Sequence, residues 1–68
     1  MQLQQVNSGT VSAIGYEIDG EVVHVLFRDN TYYKYSPVPH GVYEGLLKAQ
    51  SKGSYIHKMA KLYQGEKQ

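Results

Sequence analysis

"VVHVLFRDNTYYKYSPVP", residues 22–39, decides the fold of this 68-residue chain. It opens with β-branched and aromatic residues, which favour strands. It then turns near Asp29-Asn30 and ends at two prolines. A one-residue slip between paired strands moves every side chain to the other face, so the loop length is decisive. A two-residue loop pairs Phe27 with Tyr32 and Val25 with Lys34, which sends a lysine to the apolar face. A three-residue loop, Asp29-Asn30-Thr31, pairs Phe27 with Tyr33 and Val25 with Tyr35 and leaves Lys34 in water. A buried unpaired lysine costs far more than a buried tyrosine with a bonded hydroxyl. The three-residue register is therefore preferred, with Tyr33 and Tyr35 inward. Its weak point is Thr31, because the last loop position favours a left-handed conformation that a β-branched residue resists. A four-residue loop would restore the first parity.

Upstream, "TVSAIGYEI" (10–18) has the same strand character, and Asp19-Gly20 signals a two-residue hairpin turn of type I′. That turn pairs Tyr16 with Val23, Ile14 with Val25 and Ser12 with Phe27. Ser12, Ile14, Tyr16, Val23, Val25 and Phe27 then form the core face; Val11, Ala13, Val22, His24 and Leu26 form the other. Downstream, Pro37 and Pro39 stop the third strand. Val42, Leu46 and Ala49 recur at helical spacing, although Gly41 and Gly45 each weaken a helix by about 1 kcal/mol relative to alanine. "SKGS" (51–54) breaks this helix, and Ser51 or Ser54 can cap the next. In the second helix Tyr55, Ile56, Met59, Leu62 and Tyr63 share one side, with His57, Lys58 and Lys61 opposite. The sequence thus predicts strands near 10–18, 21–28 and 31–36 and helices near 40–50 and 52–63. The fold class is α+β, a three-stranded antiparallel β-meander followed by two short α-helices (β-β-β-α-α). Residues 1–9 read as a polar N-terminal arm, 10–63 as a single domain and 64–68 as a frayed tail.

A chain this short buries only about 60% of its unfolded surface, so its core is marginal. Cysteine is absent, which excludes disulfides and thiolate zinc sites and suits a cytoplasmic location. His24, His40 and His57 have no metal-ligand spacing, and no cofactor is expected. No apolar run approaches the roughly 20 residues of a membrane span. The net charge of +1 is uneven: two cations against five carboxylates give −3 over residues 1–47, and five against one give +4 over residues 48–68.

The ordered set "SAIGYE", "VVHVLF", "YKYSPVP", "VYEGLLKA" and "SKGSY" resembles the KTSC domain family, over about residues 10–60. The family occurs as an appendage of some lysyl-tRNA synthetases and as a free-standing small protein. Its features fall on Ser12, Ile14, Gly15 and Tyr16; on Val23, Val25 and Phe27; on Tyr33, Tyr35, Val38 and Pro39. They continue on Val42, Tyr43, Leu46 and Leu47, and on Ser51, Lys52, Gly53 and Tyr55. Asn30 stands at a turn position that is often glycine. The resemblance implies the fold; RNA binding has been suggested for the family because of the synthetase association.

Two regions suit a phosphate-bearing ligand. The Ser51-Lys52-Gly53-Ser54 corner, with Tyr55 and Lys58, presents a helix N-terminus, a permissive glycine, hydroxyls and cations, all of which favour anions. The plainer reading of this corner is a cap, a flexible glycine and a solvated lysine. Tyr32 and Lys34, with His24 and Arg28, share the outer sheet face in the preferred register, an interleaving of rings and cations that suits single-stranded nucleic acid. No histidine has an identifiable orienting carboxylate, so no nucleophile with its base is nominated and an enzyme is not expected. The expected function is a non-catalytic binding module for RNA or another phosphate-bearing nucleotide. The alternatives are an oligomeric small-nucleotide binder and a protein-interaction module, so the candidate partners are RNA or a small nucleotide, a second copy, or another protein.

Overall fold

A computed structural model describes residues 2–68; Met1, the first residue of the predicted arm, lies outside them. Among the described residues the chain runs β1 (Gln4–Gln5), β2 (Val11–Glu17), β3 (Val22–Phe27), β4 (Tyr32–Ser36), α1 (His40–Lys48), α2 (Lys52–Leu62) and β5 (Gln64–Lys67). The strands form one antiparallel sheet in the order β1-β2-β3-β4-β5. The α+β class and the central β-β-β-α-α order hold, but the sheet has five strands rather than three. Both additions come from segments read as unstructured. Gln4–Gln5 of the N-terminal arm pairs with Ala13 and Ile14. The predicted frayed tail returns as β5 along β4, with Tyr35 opposite Gly65. Neither segment has hydrophobic alternation, because all of their strand residues are exposed edge positions. Their hydrogen bonds come from the neighbouring strand, not from burial.

The decisive hairpin keeps the predicted facing with a shifted loop. Its three-residue loop is Arg28-Asp29-Asn30, closed by the Phe27 amide on the Thr31 carbonyl at 2.9 Å. Asn30 takes the left-handed conformation, φ 71°, at the last loop position. Asparagine tolerates this and threonine does not, so the loop moves one residue upstream. Val25 therefore faces Tyr33, and Val23 faces Tyr35, instead of the expected Phe27–Tyr33 and Val25–Tyr35 pairs. Two one-residue shifts preserve parity, so both tyrosines point to the core and Lys34 lies on the outer face opposite His24.

The first hairpin also keeps its expected pairs, Ile14–Val25 and Tyr16–Val23, with a different turn. Positive φ falls at Gly20 and Glu21 rather than at Asp19 and Gly20, which is not type I′ geometry. The Glu21 amide closes the turn on the Ile18 carbonyl, and the Glu21 carbonyl accepts the Val38 amide at 2.8 Å. Toward its start, β2 carries a bulge between Val11 and Ala13, so that Val11 rather than Ser12 faces Phe27. The extra residue turns Val11 into the core, where it is fully buried.

The helices cover the core face. Val11, Ile14, Val23, Val25, Tyr35, Val38, Leu46, Ile56 and Met59 form the interior, with Tyr43 at its margin. The Tyr16 ring stacks on Tyr43 at 5.0 Å between centroids, and its hydroxyl donates to the Val38 carbonyl at 2.7 Å. Burial pushes the Tyr16 phenol up, with the Glu21 carboxylate adding to the shift; burial also raises those of Tyr35 and Tyr43. The Ser36–Pro37 peptide bond is cis.

Candidate ligand cleft

Two hollows meet along the first two turns of α2. One, of about 700 Å³, lies between α2 and the β3–β4 turn, and its walls include Phe27, Tyr33, Tyr35, Arg28 and Asp29. The other, of about 450 Å³, is lined by Ser51, Ser54 and Lys58. Thr10, Gly53 and His57 line both, so the hollows adjoin. The sheet supplies the ring-lined part: Phe27 and Tyr33 meet edge to face at 5.7 Å, and Tyr33 stacks beside Tyr35 at 6.0 Å. Helix α2 supplies the polar part, with Ser51 as its cap. The Ser51 hydroxyl accepts the Ser54 amide at 3.3 Å and donates to the Ser54 hydroxyl at 3.0 Å. His57 and Lys58 are exposed one turn further on.

The predicted site residues separate into three groups. Ser51, Gly53, Ser54 and Lys58 line the cleft. Gly53 also has a packing reason for its lack of a side chain, since a Cβ there would come within 3.1 Å of the Thr10 hydroxyl. Lys52 and Tyr55 belong to the framework. The Lys52 ammonium donates to the Leu47 and Ala49 carbonyls at 3.3 and 3.1 Å, closing the C-terminus of α1. Lys52 was expected to add charge to the anion site; the chain reverses so tightly that its ammonium instead meets the C-terminus of α1. The Tyr55 hydroxyl donates to the Val42 carbonyl at 2.9 Å. Tyr32 and Lys34 form the third group, on the outer sheet face away from the cleft.

Sequence reading missed the contribution of the β3–β4 turn. Arg28 was expected on the outer sheet face, but it lies in the turn and lines the cleft. Its Nε donates to the Ser8 carbonyl at 2.6 Å, while its amide bonds to the Thr10 carbonyl. These bonds tie the N-terminal segment to the turn. Asp29 accepts from both the hydroxyl and the amide of Thr31. The Thr31 hydroxyl, followed by its amide, holds the Asp29 carboxyl below its ordinary value.

A further correction concerns the histidines. The outer face carries a row across three strands: Glu17 on β2, His24 on β3 and Tyr32 on β4. His24 Nε2 lies 2.5 Å from Glu17 Oε1, and His24 Nδ1 lies 2.8 Å from the Tyr32 hydroxyl. His24 is 3% exposed. An orienting carboxylate was therefore present but illegible, because Glu17 reads as one member of a solvated acidic group around a turn.

The fold and cleft define a small α+β domain in which two helices close one face of an antiparallel sheet. Residues 7–62 match the KTSC domain family, and the chain belongs to it. A crystal structure of a KTSC domain protein from Yersinia pestis is similar with a TM-score of 0.91 and 29% identity, covering 98% of this chain and 96% of that one. A protein from Tsukamurella paurometabola is 30% identical over 59 residues, 87% of this chain and 88% of the relative. An uncharacterized protein from Stutzerimonas stutzeri is 28% identical over 61 residues, 90% of this chain and 86% of the relative. No helix among the described residues is long and apolar enough to cross a membrane.

Proposed function

We propose that this domain is a non-catalytic binding module for a phosphate-bearing nucleotide ligand, with short single-stranded RNA as the favoured partner. One observation carries the reading: two adjoining hollows whose walls pass from aromatic rings to cations and hydroxyls at a capped helix N-terminus. Base–ring stacking contributes about 1–3 kcal/mol per base. Lys58, His57 when protonated, and the free amides of α2 favour phosphate oxygens. At the opposite end Asp29, with its carboxylate held ionised, offsets the Arg28 cation beside it. The ligand therefore enters with a base toward Tyr33 and Phe27 and a phosphate toward Ser54 and Lys58. A cysteine-free chain with an intracellular ligand suits the cytoplasm.

The test is a titration of a short single-stranded RNA, and of a mononucleotide, with wild type and Lys58→Ala at two salt concentrations. The expected result is weaker binding by about 1–3 kcal/mol on losing a charge-assisted contact, with a salt slope smaller by about one. Equal affinities at both salts would remove the cleft from the site.

A protein-interaction role has one observation in its favour. Leu62 is 77% exposed beside an apolar notch of Val42, Tyr55, Met59 and Tyr63. Leu62→Asp leaves RNA binding intact if the cleft is the working surface.

A further inference from the structure

We propose that Tyr32 is a nucleophilic tyrosine, a site of covalent modification by electrophilic phosphorus, activated by His24 under the hold of Glu17. The site lies on the sheet face opposite the cleft and does not depend on ligand binding there.

Hydrogen-bond chemistry assigns the roles. An ionised carboxylate only accepts, so His24 Nε2 carries the hydrogen that faces Glu17. In the neutral ring Nδ1 then accepts, and the Tyr32 hydroxyl donates to it at 2.8 Å. Nucleophile, base and orienting carboxylate stand in that order within hydrogen-bond reach. The sheet fixes the array, because the three residues are diagonal neighbours on adjacent strands and share one face. Gly15, directly opposite His24, brings no side chain into the row. His24 is buried, whereas Tyr32 is only half-buried, so the base is shielded while the nucleophile stays within reach of solvent.

The other tyrosines lack this arrangement. The Tyr16 and Tyr55 hydroxyls donate to backbone carbonyls, which accept a hydrogen bond but cannot take the proton. Tyr35 and Tyr43 are buried. Lys34 lies two positions along β4 from Tyr32 on the same face, about 7 Å at strand rise. Lys34, opposite Glu66 on β5, gives this face a cation that an anionic phosphoryl group can pair with and a neutral acyl group cannot.

In the step, the Tyr32 oxygen attacks phosphorus and an O–P bond forms. The bond from phosphorus to the leaving group breaks, and that group departs with its electron pair. The phenolic proton passes to His24 Nδ1, and Glu17 neutralises the imidazolium. The donor class is a phosphoanhydride or another activated phosphate ester. The product is a phosphotyrosyl ester at Tyr32, without the Tyr32–His24 hydrogen bond.

A fluorophosphonate probe, from which fluoride leaves, tests this on the full chain by intact mass and peptide mapping. The expected result is one adduct, on Tyr32, that is absent in Tyr32→Phe. Its formation slows about 100-fold in His24→Asn, the scale of a lost general base. It also slows in Glu17→Gln, where a neutral amide no longer stabilises the imidazolium that forms. Circular dichroism verifies folding; should His24→Asn not fold, Glu17→Gln decides, since the Glu17 side chain is 44% exposed. Absence of an adduct, labelling spread over several tyrosines, or an unchanged rate in folded Glu17→Gln overturns the proposal.

Discussion

The Tyr55 hydroxyl donates to the Val42 carbonyl at 2.9 Å and rests directly over Gly45. Helix α2 is thus keyed into α1 at a residue without a side chain. A Cβ on Gly45 would land on that hydroxyl and come within 3.1 Å of the ring carbon that bears it. Alanine ordinarily stabilises a helix by about 1 kcal/mol over glycine, but overpacking costs about 1–3 kcal/mol. Gly45→Ala is therefore expected to lower the melting temperature. In a Tyr55→Phe background the same change is expected to cost less, which a double-mutant cycle of thermal or urea melts measures.

Tyr35 and Tyr32 differ in what their loss removes. Tyr35 is 5% exposed within the core, so Tyr35→Ala is expected to cost about 3–5 kcal/mol and to unfold so small a domain. Tyr32→Phe removes only the hydroxyl paired with His24 Nδ1. Leaving that buried atom unpaired is expected to cost about 1–3 kcal/mol. Urea melts of the two variants distinguish the cases, and comparable losses would contradict the inward placement of Tyr35.

Lys52 and Lys58 separate stability from binding. Lys52→Ala removes the donor to the Leu47 and Ala49 carbonyls, and is expected to cost about 0.5–1.5 kcal/mol of stability with little effect on RNA affinity. Lys58→Ala should do the reverse. A Lys52 variant with an unchanged melting temperature would show that its bonds to α1 contribute nothing.

Asp29 gives a pH-dependent signal. Its carboxyl is held low by the Thr31 hydroxyl and then the Thr31 amide. A depressed folded value adds stability above the unfolded value near 3.8, and that stability is lost as pH falls through the lower folded value. Thr31→Val removes the hydroxyl and keeps the amide. The Asp29 carboxyl is then expected to titrate higher, while remaining below its ordinary value, in an NMR titration of side-chain carboxyl carbons. An unchanged titration would assign the effect to the amide alone.

Local chemistry determined much of this protein. Alternating apolar residues on β2 and β3, the prolines after β4 and the Ser51 cap made the meander and both helices legible. The cost of burying Lys34 was enough to turn Tyr33 and Tyr35 inward, because parity depends on which face is apolar. Tertiary structure decided what carries no local pattern. Gln4–Gln5 and Gln64–Lys67 became strands only because β2 and β4 offered unpaired edges. The left-handed tolerance of Asn30 chose the exact loop, and a bulge turned Val11 inward. Arg28 reached the cleft, Lys52 left it, and Glu17 met His24 and Tyr32 through contacts across the fold. Side chains from separate elements meet only when the chain is packed, so their chemistry could not be read from their order along it.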